Sequence, residues 1–580
     1  MGNIIVGKGE RVKTKFFAIV PVAFLVTYYL RQVMLYFNMS GYVVGDLGRE
    51  LYAPLRVLQG QIIYKDFFWL YGPWSIWVNA LLYRLFSVNS QILYYQSLIL
   101  GLVIAILVYR LSRLFTSQIV SLLVTMIYIK VTMFGFTWQS LIMPGKFAAS
   151  WGMLFSLVFL NYLVKKIMVN GAPSRIWLGV IAGMAVITKI DYALAIITCS
   201  LMGIVILGRR NDILPGMLAV LRVIAVVMAP VALWMFLYQV SFNDVASNIF
   251  PVYASKYWFS HRNFYDFQAL FKTLKTELIL IIATSFLIAK RLGKFQHLFI
   301  LKVVTAILTI FILKDQNTGL FKFGFMWPFF ILSAGVVVLN VVNQYVPQRI
   351  KWALILLSLF NFLLTLRDKL AVGSMSMIFP FLVVIGGLTA IYKYSAGRVS
   401  FNYRAGVILL ALLLIRLAGD QSAFLDSSQY SDKKSFVTSS RGSFIVEPVP
   451  GGIMFDAVNY LSKNRGPGDK MVSFPMEAAI PFFTQIENPL PYDQFANGLI
   501  RPADQKNVVN LLNQYKPRFI TVSNYEFLGY FGLDYNEEIY EWIVSNYKET
   551  AKFGCQIPYD KEVNCTGYGI RIFELKNVKV

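Results

Sequence analysis

Three carboxylates, two cations and a cluster of aromatics crowd one stretch of an otherwise apolar chain. The stretch runs Gly45-Asp46-Leu47-Gly48-Arg49-Glu50 and then Gly60-Gln61-Ile62-Ile63-Tyr64-Lys65-Asp66-Phe67-Phe68-Trp69-Leu70-Tyr71-Gly72-Pro73. Charged groups beside hydrocarbon are costly unless paired or wet, so by default they mark a functional site. Asp46 and Glu50 are four residues apart and share one face if the segment is helical. A carboxylate at a helix end can take a proton from a hydroxyl. The same Asp46 also suits a turn or cap starting a helix at Leu47. Asp66 is the second carboxylate to weigh, either as a partner tuning Asp46 or as an acceptor that fixes its own loop. Arg49 and Lys65 can pair with these acids. Tyr64, Trp69 and Tyr71 offer flat faces to a ligand, although aromatics also gather at membrane interfaces for their own reasons.

The elements that must position these residues read as membrane helices. Of 580 residues, 57% are hydrophobic and 14% charged, and apolar runs of about twenty residues recur, the length needed to cross a ~30 Å hydrocarbon core. The basic segment Met1–Lys15 precedes a first run at 16–36 that lacks a small-residue cleavage site and reads as a retained span. With that end inside, the loop from Asn38 to Pro73 lies outside. Residues 74–86 are short and amphipathic and carry Arg84, which predicts an interfacial or re-entrant helix. Further crossings are expected near 91–109, 118–134, 147–164, 176–189, 190–207, 217–239, 277–291, 296–313, 326–343, 352–366, 374–392 and 404–418. Inward ends carry Arg110, Arg113, Lys165, Lys166, Arg209, Arg210, Lys290, Arg291, Arg349, Lys351 and Lys393, as the positive-inside rule requires. The expected architecture is a polytopic α-helical membrane protein with about thirteen transmembrane helices and an external C-terminus. The net charge of +24 is accounted for by these loops, and no basic-aromatic module for nucleic acid is present.

After Asp420 the composition turns polar. Phe444–Val446, Lys470–Phe474, Arg518–Val522 and Tyr568–Phe573 read as strands, and Met454–Lys463, Ala503–Tyr515 and Asn536–Tyr547 as helices. Residues 420–580 are therefore expected to form an extracytoplasmic α/β domain beside a membrane domain over 1–419, whose first external loop covers 38–90. Cys555 and Cys565 would be free to pair outside the cytosol, whereas Cys199 sits in an apolar run. Two histidines, His261 and His297, cannot build a His-rich metal cluster.

The order of parts resembles the GT-C superfamily of glycosyltransferases that use lipid-linked sugars. It is closest in style to the bacterial branch with protein mannosyltransferase-like enzymes, aminoarabinose transferases of lipid A and lipopolysaccharide galacturonosyl transferases. The resemblance is carried by Asp46, Gly60, Tyr64, Asp66 and Gly72-Pro73, and by the Gly-rich helix Gly179–Asp191 with its Thr188-Lys189. It implies sugar transfer from a polyprenyl-phosphate donor to a hydroxyl of a glycan, lipid or protein, with inversion, at the outer face of the cytoplasmic membrane. Asp46 occupies the position of the family's acidic residue that acts as base or orients the acceptor, with Asp66 and Glu50 beside it. Cations for the lipid phosphate are expected among Lys189, Lys256, Arg262, Lys314 and Lys322; each also suits a topological or snorkelling role. Tyr64, Trp69, Tyr71 and His261 are the candidates for contact with sugar or acceptor. No cofactor and no catalytic metal is expected, although Asp46, Glu50 and Asp66 are groups a divalent ion would take. Aminoarabinose transferases carry Lys-Pro-Pro-Leu where this chain has Tyr71-Gly72-Pro73-Trp74. A transporter or lipid flippase is the rival from another class, and a GT-C-fold protein that only binds lipid is a third reading.

Overall fold

A computed structural model describes residues 8–38, 45–134, 145–249, 343–367, 378–394, 435–446, 448–527, 529–555 and 567–576, together with positions 142, 333, 336–338, 340, 341, 558 and 559. The N-terminal region is helical: α1 (Lys8–Leu35), α2 (Asp46–Leu58), α3 (Trp74–Leu85), α4 (Ser90–Arg113), α5 (Gln118–Tyr128), α6 (Phe147–Met168), α7 (Arg175–Val186), α8 (Ile190–Leu207), α9 (Ile213–Leu237), α10 (Phe242–Ile249), α11 (Gln348–Arg367) and α12 (Ile378–Tyr394). Side-chain caps start several of these helices. Asn89 accepts the N–H of Gln91 at α4, Ser117 that of Val120 at α5, and Ser174 that of Trp177 at α7, which satisfies backbone donors that no earlier turn can reach. α5 closes in a π-helical turn, Ile129–Met133.

The expectation of about thirteen crossings is corrected here. Among the described residues, four helices are long and apolar enough to cross a membrane: Ser90–Arg113, Phe147–Met168, Ile190–Leu207 and Ile213–Leu237. Val20–Leu35, Gln118–Tyr128, Arg175–Val186 and Ile378–Ile391 are apolar but shorter. At 1.5 Å per residue, the 11 residues of α5 and the 12 of α7 rise about 17 and 18 Å, short of a ~30 Å core. Hydropathy runs through helix ends and turns alike, so it overstates helix length. The runs at 277–291, 296–313 and 404–418 lie outside the described residues, as does most of 326–343.

The C-terminal region is α/β. A hairpin of β1 (Ser435–Ser439) and β2 (Gly442–Val446) precedes α13 (Pro448–Asn464), β3 (Met471–Phe474), α14 (Ala479–Thr484), α15 (Gln505–Tyr515), β4 (Phe519–Ser523), α16 (Glu537–Asn546), β5 (Tyr547–Gly554) and β6 (Gly569–Leu575). The four-stranded sheet has the order β3-β4-β6-β5, with β3 parallel to β4 and the other pairs antiparallel. Alternate residues of a strand face opposite sides, and here they face two different cores. Val472, Phe474, Ile520, Val522 and Phe573 pack with Val508, Leu512, Ile539 and Ile543. Met471, Phe519, Ile570 and Ile572 belong instead to the large core that continues through Ala479, Ile480 and Phe482 to Leu47, Leu51 and Tyr52 of α2. One side of the sheet is thereby continuous with the helical region. Cys555 is disulfide-bonded and Cys199 is free and buried; Cys565 lies outside the described residues.

Candidate functional site

α2 lies between the helical region and the C-terminal region, and it is buried on nearly every side from Leu47 to Arg56. Two glycines allow this. A Cβ on Gly48 would stand 2.3 Å from the backbone nitrogen of Ala479, at the start of α14. A Cβ on Gly72 would stand 2.3 Å from the carbonyl oxygen of Ile187. Contacts that short are open only to a residue without a side chain. Around them, backbone hydrogen bonds tie the loop down on both sides: Gly45 N–H to Met476 O (3.0 Å), Phe68 N–H to Pro491 O (2.8 Å), Gly72 N–H to Thr188 O (3.0 Å) and Trp74 N–H to Ile187 O (3.0 Å).

Asp46 opens α2 with its side chain 48% exposed, the one half-open acid beside an otherwise closed group. Its Oδ1 accepts from Arg49 Nη2 at 3.0 Å. Arg49 is buried and works as a hub. Nη1 donates to Gln494 Oε1 at 3.0 Å, Nη2 also reaches the Tyr71 hydroxyl at 3.4 Å, and Glu50 Oε1 lies 3.8 Å away. The guanidinium sits 5.3 Å from the Tyr71 ring centroid and 5.7 Å from that of Trp69, within reach of cation–π attraction. Burial alone would lower the pKa of Arg49. The carboxylate of Asp46, with Tyr71 and Glu50, outweighs it and holds the guanidinium above its ordinary range.

Glu50 is fully buried, and among the described residues neither carboxylate oxygen has a hydrogen-bond partner. Burial pushes it up to about 8, with Arg49 pulling it down and Asp46 pushing it further up. At neutral pH Glu50 therefore holds its proton, and Arg49 is left to balance Asp46. Burial likewise raises the Tyr71 phenol, keeping it a neutral hydroxyl.

Lys189 approaches Tyr71 as well. Its Nζ is 5.7 Å from the Tyr71 centroid and 5.9 Å from that of Tyr192, and 3.3 Å from Asp191 Oδ2. Tyr71 is thus a ring with Arg49 and Lys189 both in attendance. The structure brings Asp46, Glu50, Trp69, Tyr71 and Lys189 together. Tyr64 joins from behind, its hydroxyl donating to Tyr71 O at 2.5 Å. Trp69 is wholly buried, with Nε1 donating to Gly72 O at 3.2 Å. Asp66 stands apart: its Oδ2 accepts the N–H of Ile62 at 2.7 Å in an exposed turn. Lys256, His261, Arg262, Lys314 and Lys322 lie outside the described residues. Among the described residues, no group of three or more His, Cys, Asp or Glu is placed to hold a metal ion.

Several of the structure's buried or paired polar groups carry no signal in the sequence. Gln494 and the buried pair Arg56–Asp493 (2.6 Å) come from opposite ends of the chain. Lys130, in the π-helical turn, donates to the Tyr36 hydroxyl at 2.6 Å. Glu477, next to the Met476 carbonyl that holds Gly45, is buried and accepts from Ser523 Oγ, from Tyr568 OH (3.1 Å) and from Met476 N–H (3.0 Å).

No family model matches the chain, and no curated protein sequence does. Among solved structures, the chain is similar to the archaeal oligosaccharyltransferase AglB from Archaeoglobus fulgidus, in a complex with an inhibitory peptide and a dolichol-phosphate. The TM-score is 0.50 at 12% identity, over 87% of this chain and 69% of that one. The apo form of the A. fulgidus enzyme gives the same figures. ArnT from Cupriavidus metallidurans bound to undecaprenyl phosphate aligns over 96% of this chain and 98% of that one, also at 12% identity, but its TM-score of 0.40 is too slight to bear on the fold. The chain shares the fold of this oligosaccharyltransferase.

Proposed function

We propose that this protein is an integral-membrane glycosyltransferase that moves a sugar from a polyprenyl-phosphate donor to an acceptor hydroxyl outside the cytoplasm, with Asp46 as the base. The carrying observation is the half-open carboxylate of Asp46 at the mouth of a closed polar group, held at 3.0 Å by a buried arginine. The fold shared with an oligosaccharyltransferase whose structure holds a dolichol-phosphate supports the donor class. In the reaction, the acceptor oxygen bonds to the anomeric carbon as that carbon's bond to the phosphate oxygen breaks. The acceptor proton passes to Asp46, and the electron pair leaves with the polyprenyl phosphate. Displacement from the opposite face inverts the anomeric centre. A base within reach of the acceptor and cations at the leaving phosphate are what the step requires, and Lys189, beside Tyr71 but not engaged with Asp46, is the cation assigned to that phosphate. Asp66 serves the loop as a hydrogen-bond acceptor.

Residues 1–419 form the membrane part of this reading and 420–580 the extracytoplasmic part. A disulfide at Cys555 supports an oxidising side for the latter. The test is transfer of radiolabelled sugar from a panel of polyprenyl-phosphate donors in proteoliposomes. Labelled product with release of polyprenyl phosphate is expected. Movement of lipid or solute across the bilayer, with no transfer from any donor, would replace this reading with a transporter.

A further inference from the structure

We propose that Gln494 of the C-terminal region is a positioning residue for Asp46, acting through Arg49, so that the C-terminal region helps to set the geometry of the reaction centre. The inference rests on the reading of Asp46 as the base. A guanidinium has only donors, so the Gln494 oxygen must face Arg49, and it does so at 3.0 Å through Nη1. The guanidinium is also planar and rigid. Fixing Nη1 fixes Nη2, and Nη2 is the nitrogen that holds Asp46 Oδ1 at 3.0 Å and reaches Tyr71. A lysine, or an arginine without this anchor, would leave the carboxylate free to swing.

Docking of the C-terminal region on α2 does not need Gln494. Two turns along the helix, Arg56 pairs with Asp493 at 2.6 Å and donates to Leu490 O at 2.8 Å, while the Tyr52 hydroxyl accepts from Asn488 N–H at 2.8 Å. One residue of the same loop clamps and the next one aims. Gln494 is itself buried, and its Nε2 has no hydrogen-bond partner among the described residues, an arrangement that a glutamine serving only to pack would not require.

The experiment compares Gln494→Met, Gln494→Glu and Asp493→Asn in the full-length protein, using proteoliposome transfer from a labelled polyprenyl-phosphate sugar and thermal unfolding. Gln494→Met is expected to lower kcat about tenfold or more, through misalignment of the base, with the donor KM little changed. Gln494→Glu keeps an acceptor for Arg49 and should recover most of the rate. Asp493→Asn should lower the unfolding temperature but leave kcat and the donor KM as in the wild type. If Gln494→Met does not fold, Arg49→Lys, which keeps the charge without the fork, carries the same expectation. A Gln494→Met enzyme with wild-type kcat would overturn the proposal, as would a Gln494→Glu enzyme no better than Gln494→Met. Asp46→Asn is assayed alongside. Full transfer by that variant removes the base assignment and this inference with it, whereas an inactive Asp46→Asn beside an unaffected Gln494→Met removes this inference alone.

Discussion

Glu50→Gln should stabilise the protein, and increasingly so as pH rises. In the folded state burial raises the Glu50 carboxyl from 4.5 to about 8. Between those values the unfolded chain has released the proton and the folded protein has kept it. Stability therefore falls with rising pH, by about 1.4 kcal/mol per pH unit for this group. From pH 5 to 7.5 the loss amounts to about 3 kcal/mol, close to that slope taken over the interval. Glutamine has the shape of the neutral acid and nothing to ionise, so the variant should escape this loss. Glu477, raised by burial to about 7 against its hydrogen bonds from Ser523, Met476 and Tyr568, adds a decline of the same sign that the Glu50 variant keeps. Thermal or denaturant unfolding in detergent at half-unit pH steps reads both. The two stability curves should meet near pH 5 and diverge above it. Parallel curves from pH 5 to 7.5 would refute the neutral, buried Glu50 on which the balance between Arg49 and Asp46 depends.

Gly48→Ala places a methyl 2.3 Å from the Ala479 backbone nitrogen; overpacking of this kind costs about 1–3 kcal/mol, so the unfolding midpoint should drop and α2 should loosen from the C-terminal region in protease digestion. Lys189→Met removes the cation beside Tyr71 and is expected to raise the donor KM about tenfold or more, with acceptor KM little changed, in steady-state transfer kinetics. Asp66→Asn disturbs a turn rather than the centre, and transfer rates should stay within about threefold of wild type.

Charge is conspicuous in an apolar chain, and Asp46, Glu50, Tyr71 and Lys189, chosen from residue type and order, stand in one group in the structure. The four strands expected in the C-terminal region correspond to β2, β3, β4 and β6. β5 was missed because Tyr547–Gly554 (YKETAKFG) carries charge along an edge and its start reads as the end of the preceding helix. The number of crossings was misjudged because hydropathy records burial in an apolar medium, not where an α-helix stops; α5 gives way to a π-helical turn at Ile129, and α7 stops at Val186. Arg49 illustrates the deeper limit. Its neighbours in sequence mark it as an ordinary ion-pair partner, but it also donates to Gln494, 445 residues away. No local pattern encodes such a pairing, since it depends on how two regions pack.

The most direct test of the account is the single-turnover rate of sugar transfer from a bound polyprenyl-phosphate donor, measured for wild type and Asp46→Asn in the same proteoliposomes. The amide is nearly isosteric and can still meet Arg49 through its oxygen, so folding and donor binding should persist. Loss of the general base is expected to slow transfer by about two to four orders of magnitude. A folded, donor-loaded Asp46→Asn protein that transfers sugar at the wild-type rate would contradict the central claim.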